Sequence, residues 1–307
     1  MKASTNVRAH TAVLFAVALL LTAQGAALFS HAERDHRPSP PRRWVLDETH
    51  TLAGLGRAQG AAVHDGKLYV YGDADTGVIV EFTLELEPTG RRIALTRDRR
   101  DLISHPTGLA IHPRYGAFLG DSPRGLFGQR AMLYQIDWEQ ALAEGTLDHA
   151  VRAVIRDNAA RAGTRPVFVR WGARWMLATA DYARRGHVRL YDPEKLRDGS
   201  RITDAGVLVR SFALAGRTQS LVWEDETGWL YCVQNPSPGR GWRVLVVDLE
   251  KALAAGRYDA PGALIEQREF PFNSELEGLA LLPGNRLLFL TSEERDNARL
   301  GHLEEGR

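Results

Sequence analysis

Five phrases of this chain open on a polar residue and run straight into apolar sequence: QGAAVHDGKLYVYGD (59–73), TGLAIHPRYGAFLGD (107–121), RPVFVRWGARWMLATAD (165–181), QSLVWEDETGWLYCVQN (219–235) and EGLALLPGNRLLFLTSE (277–293). Their openers are Gln59, Thr107, Arg165, Gln219 and Glu277. Their closers are Asp73 (with Asp75), Asp121, Asp181, Asn235, and Glu293 with Glu294, and His105 stands just before the second opener. Carboxylates and amides drawn to one place suit a hard cation such as Ca²⁺, which takes six to eight oxygen ligands. The expected metal ligands are therefore Glu277, Asn235, Asp181 and Asp73. Arginine suits a carboxylate or phosphate, so Arg165 is expected to hold a ligand, helped by Gln59, Gln219 and His105. A ring carboxylate such as Asp121 would serve as general base in any reaction there. Turn formation competes for the same residues, because Asp or Asn at a strand end often bonds its own backbone. That competition is strongest at Asp73 and Asp121, which share a Gly-Asp context.

What would bring these residues together is the repeat itself. Each phrase is two short apolar runs around a turn containing Gly or Pro, the pattern of a β-hairpin. The starts recur about every 48 to 58 residues, in the range of propeller blades. A third strand follows in AMLYQID, HVRLYD and RVLVVD, each ending on an Asp that opens a short helical segment. Asp137, Asp192 and Asp248 suit N-caps, Pro193 a first helical position, and Gly145, Gly199 and Gly256 left-handed stops. These aspartates thus have a structural explanation and are given no catalytic role. A fourth strand comes next in AVRAVIRD, GVLVRSFAL and ALIEQREFPF. The fifth repeat lacks one, but RWVLDETHTL (43–52) can supply it from the other end of the chain and cover the open sheet edge. The expected fold is all-β: a five-bladed β-propeller closed by an N-terminal strand in the last blade. Six blades would need a further repeat. In such a ring the openers and closers meet at one mouth of the central axis, and polar groups converging in a concavity make the natural binding site.

The chain has 307 residues, 44% hydrophobic and 25% charged, with a net charge of +1. This balance gives no electrostatic case for nucleic acid or an anionic membrane. Lys2, Arg8, the apolar run TAVLFAVALLLTA and the small-x-small SHA (30–32) read as a secretory signal over 1–32. A polar, proline-rich linker (33–42) follows, then the propeller at 43–307. Cys232 is the only cysteine and is expected to be a buried apolar residue. The expected product is an exported monomer, periplasmic or extracellular, with no membrane attachment once the signal is cleaved.

The phrase EGLALLPGNRLLFL (277–290) resembles the Glu-Gly openings of innermost strands in phytase-like and esterase-like propellers and in the gluconolactonase group. In the last group that Glu ligates a divalent metal with an Asn and an Asp. The resemblance implies that role for Glu277, with Asn235 and one of Asp73, Asp121 or Asp181 beside it. Those families generally have six blades, where the repeats here number five. Three functions follow as expectations: a binder of a small polar or anionic ligand, with Ca²⁺; a metal-dependent hydrolase of phosphate esters or lactones; or a scaffold for another protein. The chain has no G-x-S-x-G, no H-E-x-x-H and no phosphate-binding loop.

Overall fold

The computed structural model describes residues 42–125, 128–160, 162–236 and 241–304. The expected signal segment and all but the last residue of the linker lie outside the described residues. Strands of alternating burial form five four-stranded antiparallel sheets. Blade 1 is β2 (Ala58–His64), β3 (Lys67–Gly72), β4 (Val78–Phe82) and β5 (Pro88–Ala94). Blade 2 is β6 (Pro106–His112), β7 (Gly116–Asp121), β8 (Met132–Ile136) and β9 (Val151–Arg156), with α1 (Trp138–Glu144) before the last strand. Blade 3 is β10 (Arg165–Trp171), β11 (Arg174–Ala180), β12 (Arg185–Tyr191) and β13 (Leu208–Ala215). Blade 4 is β14 (Thr218–Glu224), β15 (Trp229–Gln234), β16 (Trp242–Asp248) and β17 (Leu264–Phe270), with α2 (Leu249–Ala255) before β17. Blade 5 is β18 (Leu276–Leu282), β19 (Arg286–Thr291) and β20 (Ala298–Glu304), completed by β1 (Arg43–His50).

The ring closes as the sequence implies. β1 pairs antiparallel with β20, from Arg43 opposite Glu304 to His50 opposite Ala298. The innermost strands β2, β6, β10, β14 and β18 each contact the next around the axis, and β18 returns to β2. A five-bladed propeller results. Its core is five apolar clusters, one at each blade–blade junction. Blades 3 and 4, for example, meet through Val188, Leu190 and Phe212 against Leu230, Leu245 and Cys232. Cys232 is fully buried there, and burial pushes its thiol well up.

Local chemistry fixes the blade connections. Asp137 and Asp248 accept the N–H groups of Gln140 and Lys251 as N-caps, and Gly145 and Gly256 end those helices in the left-handed region. Asp192 caps a single 3₁₀ turn, Pro193–Lys195, which stops at Leu196 rather than running on to Gly199. No helix among the described residues is long and apolar enough to cross a bilayer.

Candidate functional site

The opener residues owe their orientation to irregularities in the innermost strands. In β2 the register shifts between Ala58 and Gly60, in β6 between Pro106 and Gly108, in β14 between Thr218 and Ser220, and in β18 between Leu276 and Gly278. The residue skipped each time is the opener: Gln59, Thr107, Gln219 or Glu277. A β-bulge leaves one residue out of the ladder and re-aims its side chain. Blade 3 reaches the same end without a bulge, since Arg165 pairs regularly with Ala180 and is followed by Pro166. All five openers are buried.

Gln59, Arg165, Gln219 and Glu277 line one cavity of about 290 Å³ together with Asp73 and His105. Thr107 stands apart, donating instead to the Thr164 carbonyl at 2.6 Å. The cavity also takes in Arg57, Ser122, Tyr182, Glu275 and Ser292. Arg57, His105 and Glu275 share one position, two residues before an opener, so the repeat signals them as a set. Further along the same innermost strands lies an apolar cavity of about 460 Å³, lined by residues such as Ala110, Phe168, Trp175 and Trp223.

The closers divide according to register. Ala58 pairs with Gly72, Pro106 with Asp121 and Leu276 with Thr291, so the next residue in each blade is Asp73, Ser122 or Ser292. Those three face the cavity. Asp121 stands one residue earlier than Asp73 in this register, and a one-residue step turns a side chain to the other face. Asp121 is buried behind Ser122 and accepts its N–H at 2.8 Å. Burial pushes its carboxyl up to about 6, against the pull of the Ser122 N–H and of His105. Asp181 likewise precedes Tyr182, the cavity residue, and itself lines a different cavity beside Arg189. Asn235 is buried and donates to the Tyr182 hydroxyl at 2.9 Å.

Arg165 is the fixed cation of the axial cavity. Its Nη1 donates to the Ala162 carbonyl at 2.7 Å, its Nε to the Gln219 carbonyl at 3.4 Å, and its guanidinium lies 5.5 Å from the centre of the Tyr182 ring. Burial pulls its pKa down, opposed by Glu277, Tyr71 and Asp181. Glu277 is pushed well above the usual carboxylate range, first by burial and then by a hydrogen bond with Glu275 and that residue's charge; Arg165 pulls the other way. Protonation of Glu277 is thus favoured by its burial and by Glu275, and opposed by Arg165. On the rim, Asp73 accepts the Arg57 N–H at 3.1 Å and lies 3.5 Å from His105.

The four expected metal ligands do not all line one cavity. Glu277 and Asp73 face the axial cavity and Asp181 another, while Asn235 gives its Nδ2 to Tyr182 and keeps a buried Oδ1 without a hydrogen-bond partner. Among the described residues no three His, Cys, Asp or Glu side chains are grouped as metal ligands would be. The Arg165 guanidinium on the axial cavity also opposes a second positive charge there.

No protein-family model matches the chain, and no curated protein matches it in sequence. Among solved structures it is similar to Myxococcus xanthus glutaminyl cyclase, at 14% identity and a TM-score of 0.53, over 88% of this chain and 100% of that one. The likeness is one of fold. A Kuenenia stuttgartiensis hydrazine synthase chain is similar at 14% identity and a TM-score of 0.41, over 80% of this chain and 58% of that one. The RRP9 WD40 repeats are similar at 10% identity and a TM-score of 0.46, over 86% and 100%.

Proposed function

We propose that the axial cavity binds a small zwitterionic or anionic molecule, with the anionic group on Arg165 and any ammonium group toward Asp73 and Glu275. The observation that carries this reading is the enclosed Arg165 guanidinium, held by two backbone carbonyls in the wall of the axial cavity. A buried, pre-positioned charge of this kind is worth more to a ligand than one on an open surface. Gln59, Gln219, Ser122 and Tyr182 supply neutral hydrogen-bonding groups around it. A volume of about 290 Å³ suits a ligand the size of an amino-acid derivative.

One observation favours chemistry as well as binding. Glu277 and Glu275 share a hydrogen bond, one buried and one exposed. Such a pair can hand a proton to a bound group and recover it from solvent. The likeness to a glutaminyl cyclase makes peptides with N-terminal glutamine sensible first compounds. Phosphate esters and lactones follow, assayed without added metal.

The test is calorimetric titration of amino-acid derivatives and short peptides into the protein, with ammonia release followed in parallel. Saturable binding that weakens at least tenfold in Arg165→Gln supports the binding reading. Turnover lost in Glu277→Gln with binding retained supports the proton-transfer reading. Binding unchanged in Arg165→Gln overturns the assignment of the site. A Ca²⁺ titration after chelation is expected to leave the melting temperature unchanged, and a Ca²⁺-specific rise would restore the metal reading.

A further inference from the structure

Blade 3 carries a second polar cavity, of about 1020 Å³, lined by Asp181, Arg184, Arg185, His187 and Arg189 and bounded by Ala159. Its charge follows from strand geometry. Side chains two apart on a strand share a face, so Arg185, His187 and Arg189 of β12 point the same way. Val188 and Leu190 take the other face, in the core shared with blade 4. At Tyr191 the charged face meets the apolar junction of blades 2 and 3. The cleft is therefore the polar end of a blade–blade junction that is apolar elsewhere.

Arg189 is not a free surface side chain. It is 11% exposed, and its Nη1 is buried, makes no hydrogen bond among the described residues and lies 3.7 Å from the Asp181 carboxylate. Asp157 is also close in charge terms, but it accepts the Thr164 hydroxyl at 3.0 Å and the N–H groups of Ala159 and Ala160 at 3.2 and 3.0 Å. Burial pushes the Asp157 carboxyl up, with Arg189 first among the groups opposing it. Arg184 and Arg185 are exposed at the opening. Three guanidinium groups and an imidazole thus face one carboxylate across a cavity. A buried guanidinium with a single long ion pair is costly unless an anion completes its shell, and its planar fork matches an oxyanion.

We propose that the cleft between blades 2 and 3 is a binding site for a small free oxyanion of the phosphate or sulfate class, held by Arg189 within and by Arg184 and Arg185 at the opening. It stands independently of the axial cavity, although the two share a wall: Asp181 faces the cleft and Tyr182 the axial cavity.

The test is titration of the full chain with inorganic phosphate at low ionic strength, followed by calorimetry, with sulfate as competitor. Saturable binding is expected, at least tenfold weaker in the Arg184→Ala/Arg185→Ala double variant and in Arg189→Gln, and unchanged in Arg165→Gln. The double variant alters only exposed side chains, so it decides the matter even where Arg189→Gln unfolds. Phosphate binding that survives the double variant, or that disappears in Arg165→Gln, overturns the proposal. So does binding to anionic phospholipid vesicles with none to free phosphate.

Discussion

The Cα of Gly60 in blade 1 occupies the space that a side chain on Gly278 of blade 5 would need: a Cβ built there would lie 2.6 Å from it. The same closeness recurs between blades 2 and 3, where a Cβ on Gly108 would lie 2.5 Å from the Pro166 Cδ. These glycines directly follow the openers Glu277, Gln59 and Thr107. They let the innermost strands close around the axis while the bulged residue before each is aimed elsewhere. Function and closure are therefore coupled at adjacent positions.

Gly278→Ala is accordingly expected to destabilise the protein by about 1–3 kcal/mol, the range for overpacking a tight contact. The obstacle is backbone, which cannot rotate away. Urea denaturation reads the change as a lower midpoint with the slope preserved. An unchanged midpoint would mean that the axial contact is looser than the geometry states.

Asp121 gives a pH-dependent prediction. Its ordinary value is 3.8 and in the fold it is pushed up to about 6, mainly by burial. Between those values the folded protein holds a proton that the unfolded chain releases. The resulting stabilisation is full below about pH 4 and is lost as pH rises through about 6. Asp121→Asn removes the penalty of ionising a buried carboxyl and keeps an acceptor for the Ser122 N–H. The variant is expected to match the parent below pH 4 and to exceed it above pH 6 by up to about 3 kcal/mol, from two units at about 1.4 kcal/mol each. Denaturation midpoints across pH 4–8 check it. Parallel pH profiles for the two proteins would refute it.

Blade number, hairpin order and ring closure are legible in the sequence because each rests on local rules: period-two burial, Gly and Pro turns, and an N-terminal strand matching the missing fourth strand. The cavity is legible in part for a physical reason. Gln59, Arg165, Gln219 and Glu277 could be read because a polar opener before an apolar run marks the axial end of an innermost strand. Asp73, Asp121 and Asp181 look equivalent in a linear alignment. The hairpin turn between His112 and Gly116 is one residue longer than that between His64 and Lys67, and β10 lacks the bulge of β2 and β6. Ser122 and Tyr182 therefore take the cavity positions in blades 2 and 3. The signal that could have found Arg57 and Glu275 was the shared offset from the opener that His105 also shows. The oxyanion cleft had its own signature in the alternating Arg185, His187 and Arg189, but only the fold shows that this face lies open beside a neighbouring blade.

Asn297 joins the two ends of the chain. Fully buried in the loop before β20, it accepts the Leu52 N–H at 2.8 Å and donates to the Leu52 carbonyl at 3.0 Å, on the segment that follows β1. Both Leu52 backbone groups would be left without these partners in Asn297→Ala. Stranding a buried donor and acceptor costs about 1–3 kcal/mol each, with partial recovery by water, so a loss of about 2–4 kcal/mol is expected. The loss should also be local, because β1 is held in blade 5 by its ladder with β20 and by Trp44, whose Nε1 donates to Glu266 at 2.9 Å. Amide exchange measures this directly. In the variant, Leu46 and Thr49 in β1 should exchange faster than Leu288 and Leu290 in β19, as a closing strand that opens before the ring unfolds. Equal acceleration in both strands would instead mean that closure and the remaining blades melt as one unit.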